Sequence, residues 1–296
     1  MELRVLRNFL TVAREENITL AANLLHLTQP TLSRQIQDLE EELGHKLFVR
    51  KSHRVCLTEE GYRFRQRAEE IVALADQTLA EFAAPAGSLS GDVYIGCGET
   101  EVIHLLAEVA AQVQQEHPQV RFHLYSGNAQ GVTERLDRGL LDFGLLISPY
   151  SLERYESLTL PEKECWWVLM RKDSPLAQLP AIPPEDLLGK PLILSQQAIV
   201  DRPDNEFRRW FRPRFQDFWV ASTFNLIYNA STLVAAGMGY ALSIGQRIDT
   251  SAESPLCFRL LDPLLEAEHS VVWKKDRVFS PAAALFLERM RQAFPQ

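Results

Sequence analysis

The sequence has no long apolar run, few cysteines and an amino terminus without a signal core. No stretch approaches the ~18 consecutive apolar residues that a membrane-spanning helix needs. Arg4 and Arg7 interrupt the first ten residues, so we expect a cytoplasmic protein rather than a secreted one. The four cysteines are widely spaced and form no CxxC pair, which fits a reducing compartment and argues against structural zinc.

Signatures of common enzyme classes are also missing. None of the seven histidines belongs to an HExxH motif, and neither GxSxG nor GxxxxGK[ST] occurs. Gly96-Cys97-Gly98 lacks the third glycine of a dinucleotide fingerprint. Redox sensing by Cys97 is disfavoured because no second cysteine lies nearby to resolve an oxidised thiol. We therefore predict no catalysis, no metal site and no cofactor.

Length and composition indicate a globular protein of two domains. The chain has 296 residues, of which 46% are hydrophobic and 24% are charged, too apolar a composition for a disordered chain. The net charge of −8 superficially argues against nucleic acid. However, residues 1–57 carry eight Lys or Arg against seven Asp or Glu, and no acid occurs between Lys46 and Glu59. On charge alone, a phosphate-binding patch and a solvated surface of mixed charge are equally good explanations.

The first sixty residues have the pattern of a winged helix-turn-helix. Residues 3–15 form an amphipathic helix, and Thr19 is predicted to cap a short second helix. Thr28 is predicted to cap a third helix, which carries Pro30 in its first turn and ends at Gly44. Basic and apolar residues then alternate on both sides of a Ser52-His53 turn, as in a β-hairpin wing.

The third helix and the wing supply the candidate DNA contacts. The helix presents polar side chains whose donors and acceptors suit base edges and phosphates, and the wing adds cations. The predicted DNA-binding residues are Thr28, Gln29, Thr31, Ser33 and Arg34 on the helix, and Arg50, Lys51 and Arg54 on the wing.

These residues carry a resemblance to a known family. The runs concerned are Ile18-Thr19-Leu20-Ala21-Ala22, Leu27-Thr28-Gln29-Pro30-Thr31-Leu32-Ser33-Arg34-Gln35-Ile36, Leu47-Phe48-Val49-Arg50 and Leu57-Thr58-Glu59-Glu60-Gly61. They closely resemble the LysR-type transcriptional regulators, and a looser similarity continues to the carboxyl terminus. The resemblance implies a two-lobed effector domain like a periplasmic binding protein, and dimers or tetramers formed through a linker helix.

The segment after the wing, residues 59–86, has the pattern expected of that linker helix. Thr58 and the two following acids mark a helix start, and apolar residues recur along the helix at three- and four-residue spacing. The predicted dimer seam comprises Phe64, Ala68, Ile71, Ala75 and Phe82. The alternative is a lone helix that lies on its own domain, but the resemblance favours pairing.

The remaining two hundred residues alternate strand and helix patterns, which predicts a parallel α/β sheet. The predicted domains are a winged helix-turn-helix at 1–58, a linker helix at 59–86 and an effector domain at 87–296. Within the effector domain we expect one lobe at about 91–161 plus 264–296 and a second at about 162–263. Trp166 and Trp167 occur in a strand-like run and are predicted to be core.

Polar side chains follow several predicted strands, where ligands bind in such sheets. For any single Ser or Thr, a plain helix cap is the favoured interpretation, but several that converge from different strand ends favour a cleft. The predicted effector-binding residues are Glu99, Thr100, Glu101, Asn128, Ser148, Ser195, Thr223 and Phe224. Glu99 and Glu101 either complement a helix dipole while facing solvent or face the cleft. In the second case the effector would be neutral and polar, or an amine.

The sequence therefore predicts a DNA-binding transcriptional regulator that is modulated by a small-molecule effector and is not an enzyme. The expected partners are double-stranded operator DNA, further copies of the chain, the effector and RNA polymerase, with no membrane. The alternative is a small-molecule binding protein whose amino-terminal module only mediates oligomerisation. Binding to promoter DNA discriminates between the two.

Overall fold

The computed structural model describes residues 1–51, 54–82, 89–148, 153–196, 198–199, 205–211 and 215–295. The chain divides into two compact units, Met1–Ala83 and Ala84–Gln296. The predicted wing turn, Ser52-His53, lies outside the described residues, as do residues 83–88, which include the end of the predicted linker segment. Within the described ranges, no helix is both long and apolar enough to cross a membrane.

The first unit contains four helices and a two-stranded hairpin among its described residues. They are α1 (Leu3–Glu15), α2 (Ile18–Leu24), α3 (Gln29–Leu43), β1 (Phe48–Lys51), β2 (Arg54–Leu57) and α4 (Glu59–Phe82). Thr28 caps α3 and Gly44 ends it in the left-handed conformation, as predicted. The predicted cap of α2 is wrong, because α2 begins at Ile18, two residues earlier than a Thr19 cap implies, and the Asn17 side chain accepts the Leu20 amide at 3.0 Å.

The amino-terminal half of α4 packs within its own unit. The Phe64 ring meets the Phe9 ring edge-on at 4.9 Å, and Ala68 is fully buried in the core of the unit. Gly61 permits this approach, because a Cβ at that position would lie 2.1 Å from the carbonyl oxygen of Leu47. Of the predicted seam residues, Ala68 is thus a core residue that is not available to a second helix, and half-buried Phe64 packs against the same core.

The rest of α4 keeps an apolar surface. Ile71, Leu74 and Leu79 are 42%, 44% and 62% exposed, and Ala75 is half-buried. The side chain of Phe82 lies outside the described part of the chain. A predicted seam for a second helix therefore starts near Ile71.

The second unit begins with alternating strands and helices. They are β3 (Gly91–Cys97), α5 (Ile103–Glu116), β4 (Val120–Ser126), α6 (Ala129–Asp137) and β5 (Phe143–Ile147). Strand β3 pairs in parallel with both β4 and β5, as the alternating pattern predicts. The sequence pattern predicts this helix from residue 101, whereas α5 starts at Ile103, so Glu101 precedes it.

The chain then forms a second set of elements. They are β6 (Tyr155–Arg171), β7 (Ala181–Ile182), β8 (Pro191–Ser195), α7 (Glu206–Trp210), β9 (Trp219–Phe224), α8 (Ile227–Ala235), β10 (Tyr240–Ile244), β11 (Leu256–Leu261), β12 (Glu266–Lys274) and α9 (Pro281–Ala293). The main strand order is β4-β3-β5-β12-β6-β10-β8-β9, and β11 pairs with both β6 and β7.

The sheet is mixed rather than wholly parallel, which corrects the sequence-based prediction. Strands β6 and β12 run antiparallel to their neighbours, and β6 pairs with β12 along one stretch and with β10 and β11 along another. These two long strands carry the chain between two hydrophobic cores, one around Phe143 and Phe286 and one around Trp166 and Phe211. We call the parts around these cores the first and second lobe.

Candidate nucleic-acid interface and binding cleft

The start of α3 carries a line of interacting polar side chains. The Thr28 hydroxyl oxygen accepts the Thr31 amide at 3.4 Å and lies 2.7 Å from the Thr31 hydroxyl. Gln29 donates its side-chain amide to the Ser33 hydroxyl at 2.7 Å. These contacts orient the four side chains before any ligand arrives, which reduces the ordering entropy that binding must supply.

Arg34 is the free cation on this face. Its side chain is exposed and has no hydrogen-bond or ion-pair partner among the described residues. The opposite face of α3 is anchored in the core by Leu32, Ile36 and Leu39. A guanidinium held this way can bind guanine or phosphate with two parallel hydrogen bonds.

The wing is attached to the helices at two points. The Val55 amide donates to the Glu16 carbonyl at 2.8 Å, and the exposed Arg54 guanidinium lies 3.4 Å from the Glu16 carboxylate. Such an exposed ion pair is weak, so Arg54 can exchange its partner for phosphate. Arg50 and Lys51 belong to β1, but their side chains lie outside the described part of the chain.

Glu40 is the second attachment, and it is not among the residues predicted from the sequence to belong to a site. Its buried carboxylate accepts the amides of Leu47 and Phe48 at 2.8 and 3.1 Å, and Lys46 donates to it at 2.6 Å. The carboxylate thereby fixes the start of the wing on α3. A signal was available in the sequence, since Glu40 shares a helical face with Ile36 and Leu43.

A cleft in the second unit brings together the ends of strands from both lobes. The empty space that it encloses, together with adjoining space open to solvent, amounts to about 830 Å³. Five of the predicted effector-binding residues line it: Glu99, Asn128, Ser148, Ser195 and Phe224. Further lining residues that the sequence did not predict include Trp166, Phe207, Asn225 and Arg247.

The other three predicted effector-binding residues do not line this cleft. Thr223 precedes Phe224 in β9, and successive strand residues point to opposite faces. Thr100 turns inward and is only 3% exposed, whereas Glu101 is exposed on the same loop. The loop after β3 thus sends one carboxylate, that of Glu99, to the cleft.

A buried polar cluster lies between the lobes at Glu164. This carboxylate, on β6, accepts hydrogen bonds from the Thr100 hydroxyl and the Arg247 guanidinium, and it lies 2.9 Å from His269 Nε2. It also accepts the Glu101 amide at 3.3 Å. His269 is fully buried on β12 at an irregularity in the pairing with β6.

The cluster keeps Glu164 ionised. Burial alone raises the pKa of this carboxyl, but the hydrogen bonds from His269 and Thr100 and the charge of Arg247 outweigh burial and bring the pKa below its usual value. Arg247 also donates to the Ile244 carbonyl at 2.5 Å, and its buried Nε has no partner among the described residues. The cation that lines the cleft is therefore already balanced by an anion.

The described residues show neither a reactive thiol at Cys97 nor a metal site. Burial raises the pKa of the Cys97 thiol, which lies 6% exposed at the end of β3, and this slows its reaction with oxidants. Within the described ranges, no group of three or more His, Cys, Asp or Glu could hold a metal ion.

Comparison with known proteins identifies the family of both parts of the chain. Residues 3–62 match the model of bacterial regulatory helix-turn-helix proteins of the lysR family. Residues 86–295 match the model of the LysR substrate binding domain. The fold and both matches define a transcriptional regulator with a DNA-binding module and an effector-binding domain. The chain belongs to the LysR family, which confirms the resemblance.

Relatives of the chain are similar over most of its length. The HTH-type transcriptional regulator BenM of Acinetobacter baylyi is 32% identical over 90% of this chain and 87% of its own. The HTH-type transcriptional regulator IlvY of Escherichia coli (strain K12) is 28% identical, covering 97% of both chains. Both names describe transcriptional regulators rather than enzymes.

Solved structures of the family share the fold. Full-length CbnR complexed with its target DNA matches with a TM-score of 0.71 and 21% identity, covering 99% of this chain and 100% of that one. Full-length BenM matches with a TM-score of 0.53 and 28% identity, covering 99% of this chain and 96% of that one. The predicted fold class, a winged helix-turn-helix with an α/β effector domain, is confirmed.

Proposed function

We propose that this protein binds operator DNA through α3 and the wing, and that a small molecule in the cleft modulates this binding. The exposed face of α3 supports the proposal. Arg34 has no partner among the described residues, and it lies beside the interacting side chains of Thr28, Gln29, Thr31 and Ser33. Helix α3 enters the major groove, and Arg50, Lys51 and Arg54 of the wing neutralise flanking phosphates.

The regulator acts in the cytoplasm as a homo-oligomer. Pairing through α4 sets two copies of α3 on one DNA, so the operator is an interrupted, roughly palindromic sequence. RNA polymerase is the further partner expected at a promoter. The five residues Glu99, Asn128, Ser148, Ser195 and Phe224 contact the effector, whereas Thr100 supports the cleft through Glu164.

The test compares three arginine variants of the full chain on promoter DNA and on unrelated DNA. Arg34→Ala should lose about 1–3 kcal/mol of binding free energy on the operator and part of its preference for the operator over unrelated DNA, because a base-reading contact is removed. Arg54→Ala should weaken binding to both DNAs alike and reduce the salt dependence of the affinity, because a phosphate contact is removed. Arg4→Ala is the control, since this exposed arginine lies on α1, outside α3 and the wing.

Fluorescence anisotropy with labelled duplexes at fixed salt measures all affinities. Unchanged operator affinity in both Arg34→Ala and Arg54→Ala would refute this docking. A wild-type chain that forms its oligomer but binds neither DNA would instead support an amino-terminal module that serves oligomerisation alone.

A further inference from the structure

A carboxylate of the first lobe crosses the cleft to a helix of the second. Glu99 Oε2 accepts the backbone amide of Ile227 at 3.1 Å, and Ile227 is the first residue of α8. Helix α8 has no side-chain cap of its own. Glu99 therefore occupies the position at which an anionic ligand would meet the positive end of this helix.

Among the described residues, no cation balances the charge of Glu99. Its Oε1 has no partner among the described residues, and the only other charged side chain among those that line the cleft is Arg247. The Arg247 guanidinium is already paired with Glu164. Within the described part of the cleft, the uncompensated charge is therefore negative.

The walls next to this charge are apolar. The rings of Trp166 and Phe207 lie 4.5 Å apart, and Phe224 lines the cleft from the end of β9. Such a surface takes an aromatic or aliphatic body and leaves the one charged group to fix orientation.

We propose that Glu99 is the charge-selecting residue of the cleft, and that it selects effectors with a protonated amine on an apolar body over carboxylates of the same shape. This inference rests on the proposed function of the cleft as the effector site. An ammonium group donates a hydrogen bond to the free oxygen of Glu99. A carboxylate is repelled by the charge of Glu99 and finds the Ile227 amide already occupied. If Glu99 serves only as a cap of α8, no such selection exists.

The test uses phenethylamine and phenylpropionate, which share the ring and the two-carbon linker and differ in the charged group. Calorimetry measures their binding to the full-length wild-type chain, Glu99→Gln and Glu101→Gln. Glutamine at position 99 keeps an acceptor for the Ile227 amide, so the capping contact survives while the charge is lost. Glu101→Gln removes the same charge from the same loop but outside the cleft.

The wild type should bind phenethylamine about tenfold more tightly than phenylpropionate, the order expected for a charge-assisted hydrogen bond in a partly exposed site. Glu99→Gln should abolish this preference and Glu101→Gln should retain it. The proposal is overturned if the acid binds as tightly as the amine, if neither probe binds, or if both variants lose the preference equally. Operator affinity, measured on the same samples, reports separately on the proposed function.

Discussion

Removal of the Glu164 charge should destabilise the second unit strongly. In Glu164→Gln, the Arg247 guanidinium loses its anion while its side chain remains only 18% exposed, and His269 loses a carboxylate neighbour at 2.9 Å. Breaking a buried pair by removing one partner costs about 3–5 kcal/mol. Because Arg247 keeps some access to water and glutamine keeps one acceptor, we expect about 3 kcal/mol, the lower end of that range.

The five tryptophans allow this cost to be measured in the full chain. All of them, at positions 166, 167, 210, 219 and 273, belong to the second unit, so tryptophan fluorescence does not report on the first. For a domain of this size, each kcal/mol lowers the unfolding midpoint by about 2–4 °C, which predicts a shift of about 6–12 °C. Glu162→Gln is the matched control, because Glu162 is an exposed carboxylate two residues away on β6.

The destabilisation caused by Glu164→Gln should also depend on pH, and it should be smaller in acid. The pKa of Glu164 in the fold lies below its ordinary value of 4.5, so its stabilising effect is fully present above that value. That effect is lost as the pH falls through the lower pKa of the folded state. The gap between wild type and Glu164→Gln should therefore narrow in acid. A variant that melts with the wild type at neutral pH would refute a structural role for the cluster.

Two further predictions concern the first unit. Glu40→Ala should destabilise the first unit by about 1–3 kcal/mol, since the Leu47 and Phe48 amides lose their buried acceptor. The temperature at which heating abolishes operator binding measures this destabilisation, with Glu41→Ala as control. Equal decreases of that temperature in the two variants would contradict the prediction. Ile71→Glu should disrupt pairing through α4 by burying a charge, seen as a smaller species in sedimentation, with Gln66→Glu as control. An oligomer unaffected by Ile71→Glu would place the interface elsewhere.

The elements of the first unit could be predicted because their signals are local. Thr28 and Gly44 bound α3 through contacts made within one helical turn, and the sequence displays them directly. The packing partner of Phe64 and Ala68 could not be predicted in this way. An apolar stripe on a helix requires a partner, but whether that partner is α1 or a second α4 depends on tertiary packing.

The cleft was predictable in outline for a different reason. Parallel strands place their carboxyl ends at one edge, so residues that follow predicted strands meet there, as Glu99, Asn128 and Ser148 do. The direction of each side chain was harder to predict, as Thr100 illustrates by turning inward to Glu164. Arg247 was missed because its partner lies 83 residues earlier in the chain and no local pattern joins the two.

The long strands β6 and β12 were recognised only in part. The sequence suggests strands at Cys165–Met170 and Ser270–Trp273, whereas the structure extends them to Tyr155–Arg171 and Glu266–Lys274. Their additional residues include the charged Lys163 and Glu268, which lower strand propensity. These two side chains form an ion pair at 2.8 Å across the two strands, a compensation that only the pairing register reveals.

The net charge of −8 does not oppose DNA binding by this chain. At physiological ionic strength, charges separated by more than about 8 Å of solvent are largely screened, so only side chains near the phosphates contribute. Among the described side chains of α3 and the wing, Arg34 has no partner and Arg54 contacts exposed Glu16, whereas the acid Glu40 is buried and neutralised by Lys46 and two amides. In the proposed docking, the quantity that governs affinity for DNA is therefore the charge on this one face, and acids elsewhere affect mainly solubility and non-specific association.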